Sequence, residues 1–409
     1  MRANLRIASI DLIRGAVMVL MAVDHVRVFS GLPAGGPTPG IFFTRWITHF
    51  CAPAFLFLAG TSAFLSTRRP PSPHGGEGDR GRGLGRGSGH LLIRGAWLVL
   101  LELTVIRVAW TFNFDFMQYE MAGVIWVIGW CMILMAGLVK LPLRAVGGIG
   151  VGIIALHDLI GPRLPGLMPA LNGGLSGLWK ILYLAFFNGP IQLGERGPNL
   201  IVLYSIIPWI GVMAAGYAFG AVLTLEPERR NRICLRVGLG ATALFLVLRG
   251  LNLYGDPAPW GAGGQRPDGA PGMPAVLAFL NTTKYPASLN FLLMTLGPTI
   301  ALIPLLERAR GALARWVTVF GRVPFSYYVL HIPLIHALAL VVSRVRLGAV
   351  SPWLFANHPM GAPRPPDGYV WSLGLLYAVW AVVIVLLYFP CRWFAHLKAR
   401  RNDWWLRYL

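Results

Sequence analysis

Apolar positions along this chain fall in long, nearly unbroken runs, and not in the short stripes of a soluble fold. A helix that crosses a hydrocarbon layer needs about 20 such residues. Ten runs, separated by Gly/Pro or charged punctuation, lie at about 8–29, 42–66, 95–112, 121–139, 145–160, 200–224, 237–253, 286–306, 316–345 and 369–391. The pattern predicts an all-α fold, a polytopic membrane helix bundle of about ten transmembrane helices forming a single domain over 1–409. The fifth run is short and Gly-rich, which leaves nine or eleven spans open. Between the runs, segment 67–90 (TRRPPSPHGGEGDRGRGLGRGSGH) has the composition of a disordered cytoplasmic loop. Loops 161–199, 254–285 and 346–368 are rich in Gly, Pro and aromatics and are expected to fold over the outer face. The tail 392–409 interleaves basic and aromatic residues, as an interfacial cytoplasmic helix does. The first run is interrupted by Asp11, Arg14 and Asp24 and no small-residue cleavage site follows, which argues against a cleaved signal peptide.

Composition supports this pattern. The 409 residues are 56% hydrophobic and 13% charged with a mean hydropathy of +0.60, whereas a soluble domain carries roughly 25% charged residues. One globular core cannot hide that much apolar side chain, so the chain needs lipid; disorder, collagen-like fibres and disulfide scaffolds are excluded. Cys51, Cys131, Cys234 and Cys391 all sit in or beside apolar runs and read as small core residues. The formal charge is +20, which in a soluble protein would raise the question of nucleic acid. With the N-terminus inside, however, the inside segments hold 22 Lys/Arg and the outside loops 7. That asymmetry predicts two cytoplasmic termini and makes the basic excess a topology signal, with no nucleic acid as partner.

Ionisable residues inside spans are costly and by default mark function. Asp11, Arg14, Met18, Met21 and His25 are spaced 3, 4, 3 and 4 apart, one stripe on the first helix. Arg14 and His25 share that face about 16 Å apart along the axis. The bland alternative is an Asp11–Arg14 structural pair and a hydrogen-bonded core histidine. Arg45 and His49 share a face of the second span near the outer entrance. Arg107, Arg249 and Lys284 lie at outer ends of later spans; snorkelling explains any one of them, while their convergence at one level predicts a polar cavity for anionic or sugar-like groups. Glu102, mid-span, is expected to neutralise one of the arginines. In the ninth span Arg322 falls at the cytoplasmic end and His331 near the middle, on one face with Tyr328, where Pro333 loosens the helix; site and core readings of His331 balance. His157, His358 and His396 read as structural or solvated. The sequence has no phosphate-binding Gly-rich loop, no His/Cys metal spacing and no nucleophile elbow, so no metal is expected.

The opening RIASIDLIRGAVMVLMAVDHVRVF and FFTRWITHFCAPAFLFLAGTSAFLS resembles that of bacterial proteins related to heparan-alpha-glucosaminide N-acetyltransferase. RGAWLVLLELTVIRVAW, IIPWIGVMAAGYAFG, LRGLNLYGDPAPW, FLNTTKYPASLNFLLMTLGP and FGRVPFSYYVLHIPLIH extend the resemblance over nearly the whole chain. The Arg14-x10-His25 spacing is also similar to that of the wider membrane acyltransferase superfamily that O-acetylates envelope sugars. The lysosomal enzyme of the family is described as using a histidine in the luminal loop between its first two domain helices; the corresponding loop here, GLPAGGPTPGIFF, has none. The resemblance therefore implies a reaction class and leaves the base open.

The expected activity is transfer of an acetyl or other acyl group from acyl-CoA to an envelope sugar or glycan, in the inner membrane of a bacterium, by a chain surrounded by lipid and open to homo-oligomerisation. Acyl transfer needs a base, a stabilised oxyanion and a hold on the CoA phosphates. His25 is the expected base or acyl carrier, with His49 and His331 as alternatives. Arg14, oriented by Asp11, and Arg322 are expected to meet the CoA. Asp24, Arg45, Arg107, Arg249 and Lys284 are expected on the acceptor side. The rival class is a transporter or flippase of a lipid-linked or anionic solute, whose buried arginines would line a route; a scaffold without chemistry is the third.

Overall fold

The computed structural model describes residues 7–36, 38–67, 83–184, 189–261, 274–356, 363–401, 403 and 406. Helix α1 (Ala8–Ser30) ends where Gly31 takes a left-handed conformation (φ 77°). Thr38 then caps α2 (Pro39–Trp46), with Pro39 at the first helical position, and α3 (Cys51–Thr67) continues it through a short 3₁₀ turn. Helix α4 (Gly83–Leu101) passes through a π-helical turn (Glu102–Ile106) into α5 (Arg107–Thr111). Next come α6 (Val124–Leu138), α7 (Leu143–Ile160), the single turns α8 (Leu164–Leu167) and α9 (Ser176–Trp179), then α10 (Ile206–Phe219) and α11 (Pro227–Gly250). The chain continues through α12 (Ala275–Leu280), α13 (Leu289–Ala301), α14 (Ile303–Glu307), α15 (Ala312–Arg322), α16 (Pro324–Leu347) and α17 (Leu373–Arg400).

Among the described residues, seven helical stretches are long and apolar enough to cross a membrane: Pro39–Ser66, Leu143–Ile160, Ile206–Thr224, Pro227–Gly250, Leu289–Glu307, Pro324–Leu347 and Leu373–Arg400. The other predicted runs are helical too, but α1 carries Asp11, Arg14, Asp24 and Arg27, the third run carries Glu102 and Arg107 with Arg94 just before it, and α6 has only 15 residues. Only 17% of Leu143–Ile160, 22% of the apolar stretch in Pro227–Gly250 and 28% of that in Leu373–Arg400 are buried inside the protein. Their outward faces, with Val151, Leu239, Leu246, Val382 and Phe389 exposed, fit a lipid environment and not water. The central helices cross on glycines. Gly95 and Gly129 bring α4 against α6, and Gly15 and Gly321 bring α1 against α15, so closely that an added Cβ would strike the facing backbone carbonyl. Small residues at crossings are how helices associate where lipid removes the hydrophobic drive.

Four features depart from the sequence pattern. The fold is not wholly helical: β1 (Tyr119–Ala122) pairs in parallel with β3 (Asn199–Val202), and β2 (Ile191–Gln192) pairs antiparallel on its other edge. These are backbone segments between helices that satisfy each other's hydrogen bonds away from any helix. The sixth run accordingly starts at Ile206 and not at 200. The ninth run is broken at Val323, where α15 ends and Pro324 starts α16 in a new direction. Helix α4 begins at Gly83, inside the stretch read as a 67–90 loop, whose residues 68–82 lie outside the described ones. The basic tail is no separate helix as far as Arg400, since α17 runs on through Pro390 to that residue.

Candidate active site

A cavity of about 730 Å³ opens at the C-terminal end of α1, within the range of small-molecule sites. The last turns of α1 give it Asp24, His25 and Arg27; α2 and the 3₁₀ turn give Arg45, Trp46 and His49; the π-turn and α5 give Glu102 and Trp110. The ends of the small sheet add Met121 and Tyr204, and the approach to α13 adds Lys284 and Tyr285. The strands thus do what no helix could, closing one wall with short extended chain.

His25 is the centre of this geometry. Its Nδ1 lies 2.6 Å from Nε2 of His331, with ring planes 27° apart and centroids 4.8 Å apart. His331 is fully buried, and its Nδ1 faces the carbonyl oxygens of Tyr328 (2.6 Å) and Tyr327 (3.2 Å). A carbonyl only accepts, so the His331 hydrogen sits on Nδ1 and its Nε2 offers a lone pair. His25 Nδ1–H donates to that lone pair, which leaves the lone pair of His25 on Nε2. The tautomer of His25 is therefore set by a backbone carbonyl two hydrogen bonds away, the arrangement that a general base requires. Trp110 packs edge-on against the His25 ring at 5.0 Å.

Asp24 is shared by two arginines. Arg27 Nε donates to Oδ1 at 2.8 Å and Arg45 Nη1 to Oδ2 at 2.5 Å. Arg45 also reaches the Tyr285 hydroxyl at 3.4 Å. Asp24 thus pairs with guanidinium groups and orients them, and it does not itself face a ligand as a free carboxylate. Lys284 sits over the rings of Tyr285 (5.2 Å) and Tyr204 (5.5 Å), a cation–π setting. No carboxylate lies within ion-pair distance of it among the described residues. Two arginines on one aspartate plus this ammonium give the lining a positive excess on that wall. His49 is buried, edge-on to Phe291 at 5.4 Å, and its Nδ1 has no hydrogen-bond partner.

The structure separates the other predicted residues from this group. Arg107, fully buried, donates to the carbonyls of Tyr119, Asn113 and Asp115 and to the side chains of Thr111 and Asn113, so it folds the 112–119 loop and does not line the cavity. Arg249 holds Asp256 at 3.1 Å and donates to the carbonyls of Ala278, Phe279 and Asn281, closing the C-terminal end of α12. Both were expected on the acceptor side; both are staples for loop backbone. Glu102 neutralises no arginine here. Its Oε2 accepts from Ile125 N–H at 3.0 Å at the N-terminus of α6, where a carboxylate meets the positive end of the helix dipole. Arg14 pairs with Asp11 at 3.5 Å and donates to Ser62 Oγ and the Leu58 carbonyl. Met18 and Met21 are buried between Arg14 and His25, and neither Asp11 nor Arg14 lines the cavity. Arg322 is exposed at the end of α15 and also lies off the lining. The stripe is real as a helix face, and its His25 end lines the cavity while its Asp11–Arg14 end does not. His396 is exposed, His157 buried, and His358 lies outside the described residues.

A bundle of apolar helices thus encloses a histidine couple beside a basic wall. Residues 6–253 match the family heparan-alpha-glucosaminide N-acetyltransferase, catalytic, and the chain belongs to that family. The family carries acetyltransferase activity, so the class is membrane acetyltransferase. The match takes in His25, Arg45 and His49 and stops before Lys284 and His331, which are placed at the site by the structure alone. No curated protein matches the chain. Among the described residues no group of three or more His, Cys, Asp or Glu could hold a metal ion.

Proposed function

We propose that this protein is an acyl-CoA-dependent acetyltransferase of a bacterial inner membrane that acetylates a hydroxyl or amine of an envelope sugar or glycan. The observation that carries the reading is the oriented His25–His331 couple on a positively charged cavity, in a chain of an acetyltransferase family. His25 Nε2 removes the acceptor's proton as its oxygen or nitrogen attacks the thioester carbonyl carbon. The tetrahedral oxyanion then collapses, the C–S bond breaks, and the leaving thiolate takes the proton back from His25. Electrons and protons balance, and the couple returns to its starting tautomer. Lys284 and the Asp24-oriented Arg45 meet an anionic part of the donor or acceptor.

Ten crossings with both termini cytoplasmic go with this reading. The ten helical runs and the arginine distribution support it. In that orientation the cavity, at the C-terminal end of α1, opens toward the outer face, where an envelope acceptor would approach.

The test is thiol release from acetyl-CoA by the protein in lipid nanodiscs, with and without an envelope glycan fraction, beside mass spectrometry of envelope glycans from cells with and without the gene. Glycan-stimulated thiol release and loss of an acetylated species in the deletion are expected. A protein that neither binds nor consumes acetyl-CoA would be a transporter or scaffold.

A further inference from the structure

The segment that carries Lys284 and Tyr285 to the cavity is gripped from behind by two residues that do not touch the cavity. His157 and Asp158 lie in the last turn of α7, in a region where the sequence promised only a structural histidine. His157 Nδ1 is 2.9 Å from the Ile153 carbonyl oxygen and 3.2 Å from that of Ile154. Its Nε2 is 2.8 Å from the Ala287 carbonyl oxygen and 3.3 Å from Asp158 Oδ1. Every one of these partners is an acceptor. An imidazole N–H on either nitrogen therefore meets a main-chain carbonyl, that of Ile153 or that of Ala287. Asp158 Oδ2 in turn accepts from Leu289 N–H at 2.7 Å. The pair therefore binds the backbone on both sides of Ser288, the N-cap of α13. Lys284 lies only three residues before Ala287, in a turn with few backbone bonds of its own. Other ionisable groups around the pair include Tyr183, whose ring is 6.2 Å from that of His157, Tyr254, whose hydroxyl donates to the Ala155 carbonyl, and Asp256, which pairs with Arg249 and accepts from Thr283 N–H at 2.9 Å. None of them bonds to the backbone at 287–289.

We infer that His157 and Asp158 are positioning residues that hold the Lys284–Tyr285 wall at the cavity, so that the tilt of α7 against α13 sets where the ammonium stands relative to His25. The role rests on the reading of that wall as a substrate-binding surface, but the grip itself does not. A small displacement of a charge in a binding wall weakens binding before it slows chemistry, so the effect falls on KM.

Hydrogen exchange read by mass spectrometry tests the grip, and thiol release from acetyl-CoA tests its purpose. In His157→Phe, amides of 284–291 should exchange about tenfold faster, as expected for losing a hydrogen-bonded tie, while peptides from α1 stay as in the wild type. KM for acetyl-CoA or for the acceptor should rise about tenfold with kcat changed less than about threefold. His157→Gln should recover part of both effects, and Asp158→Asn, which keeps an acceptor for Leu289, should show the smaller loss. His157→Phe combined with Lys284→Met should raise KM no further than Lys284→Met alone, because both act through one ammonium. Unchanged exchange in His157→Phe and Asp158→Asn overturns the grip. Effects on KM that multiply in the double variant overturn the positioning role. A Lys284→Met protein with wild-type KM, beside faster exchange in His157→Phe, overturns the reading of the wall and leaves the grip standing.

Discussion

Replacing His331 by alanine removes the one acceptor that holds the His25 tautomer, and the structure lets the cost be worked through. The His25 Nδ1 to His331 Nε2 bond is 2.6 Å long and joins helices 306 residues apart in sequence. A net hydrogen bond is worth about 1 kcal/mol, roughly fivefold in the population of the correct tautomer. Leaving the His25 Nδ1–H unmet in a buried place adds about 1–3 kcal/mol, unless water enters the space and takes the bond. His331→Ala should thus lower kcat about fivefold if water fills the space and about 30- to 900-fold if it stays dry, with little change in KM for acetyl-CoA. His331→Gln, whose amide oxygen can accept from Nδ1, should recover most of that loss. His25→Ala removes the base itself and should cost about 10²–10⁴-fold. The pair acts as one unit, so the double variant should fall within about threefold of His25→Ala. Thiol release from acetyl-CoA in nanodiscs, with folding followed by size exclusion, measures all four proteins. A His331→Ala protein at the wild-type rate, or losses that multiply in the double variant, would refute the couple. If His25→Ala keeps more than about a tenth of the rate, the base is His49 or another group.

Other expectations test the surroundings. Arg107→Lys cannot reproduce a guanidinium that serves three carbonyls, so it should lower thermal stability by about 1–3 kcal/mol while folded protein keeps its KM; a raised KM at unchanged stability would return Arg107 to the substrate side. Gly95→Leu should separate α4 from α6 and sharply reduce the yield of folded protein, whereas Gly152→Leu, with open space at its Cβ, should not; equal yields would deny the glycine crossing its role. In β1, burial pushes the Glu120 carboxyl up to about 7, with Arg107 opposing. A raised acid contributes stability below its ordinary value near 4.5 that is lost as pH rises through 7, so melting should soften over that window in the wild type and less in Glu120→Gln; the same pH slope in both would assign it to another group.

The bundle was legible because lipid demands long apolar runs, and each of the ten runs became helix. Boundaries shifted where proline or backbone pairing intervened, at Pro324 and at β3. His25 was legible from its spacing to Arg14, since both lie on one helix face. Its partner was visible as a residue and not as a partner, because nothing in one chain says that positions 25 and 331 meet. The arginines misled for a physical reason. A buried guanidinium can be satisfied by a ligand or by carbonyls of its own loops, and sequence shows the donor but never the acceptor. Arg107 and Arg249 took the second course, whereas Arg45 stays at the cavity, oriented there by Asp24. Glu102 likewise found a helix terminus and not a cation. His157 read only as structural or solvated, because its one distant partner is the main-chain carbonyl of Ala287, which no sequence pattern marks.

The chain of bonds from the cavity inward has one more consequence, for the membrane and not for the reaction. A proton taken up at His25 Nε2 can be shared with His331, but beyond His331 Nδ1 stand only the carbonyls of Tyr327 and Tyr328, which cannot carry it further. Across an energised bilayer each charge gains about 2.3 kcal/mol per 100 mV, so a base linked to a continuous file of titratable groups would bleed that gradient. A couple that ends at a peptide oxygen is a dead end for current. The same carbonyl that orients His25 leaves a proton shared by the couple no onward acceptor there.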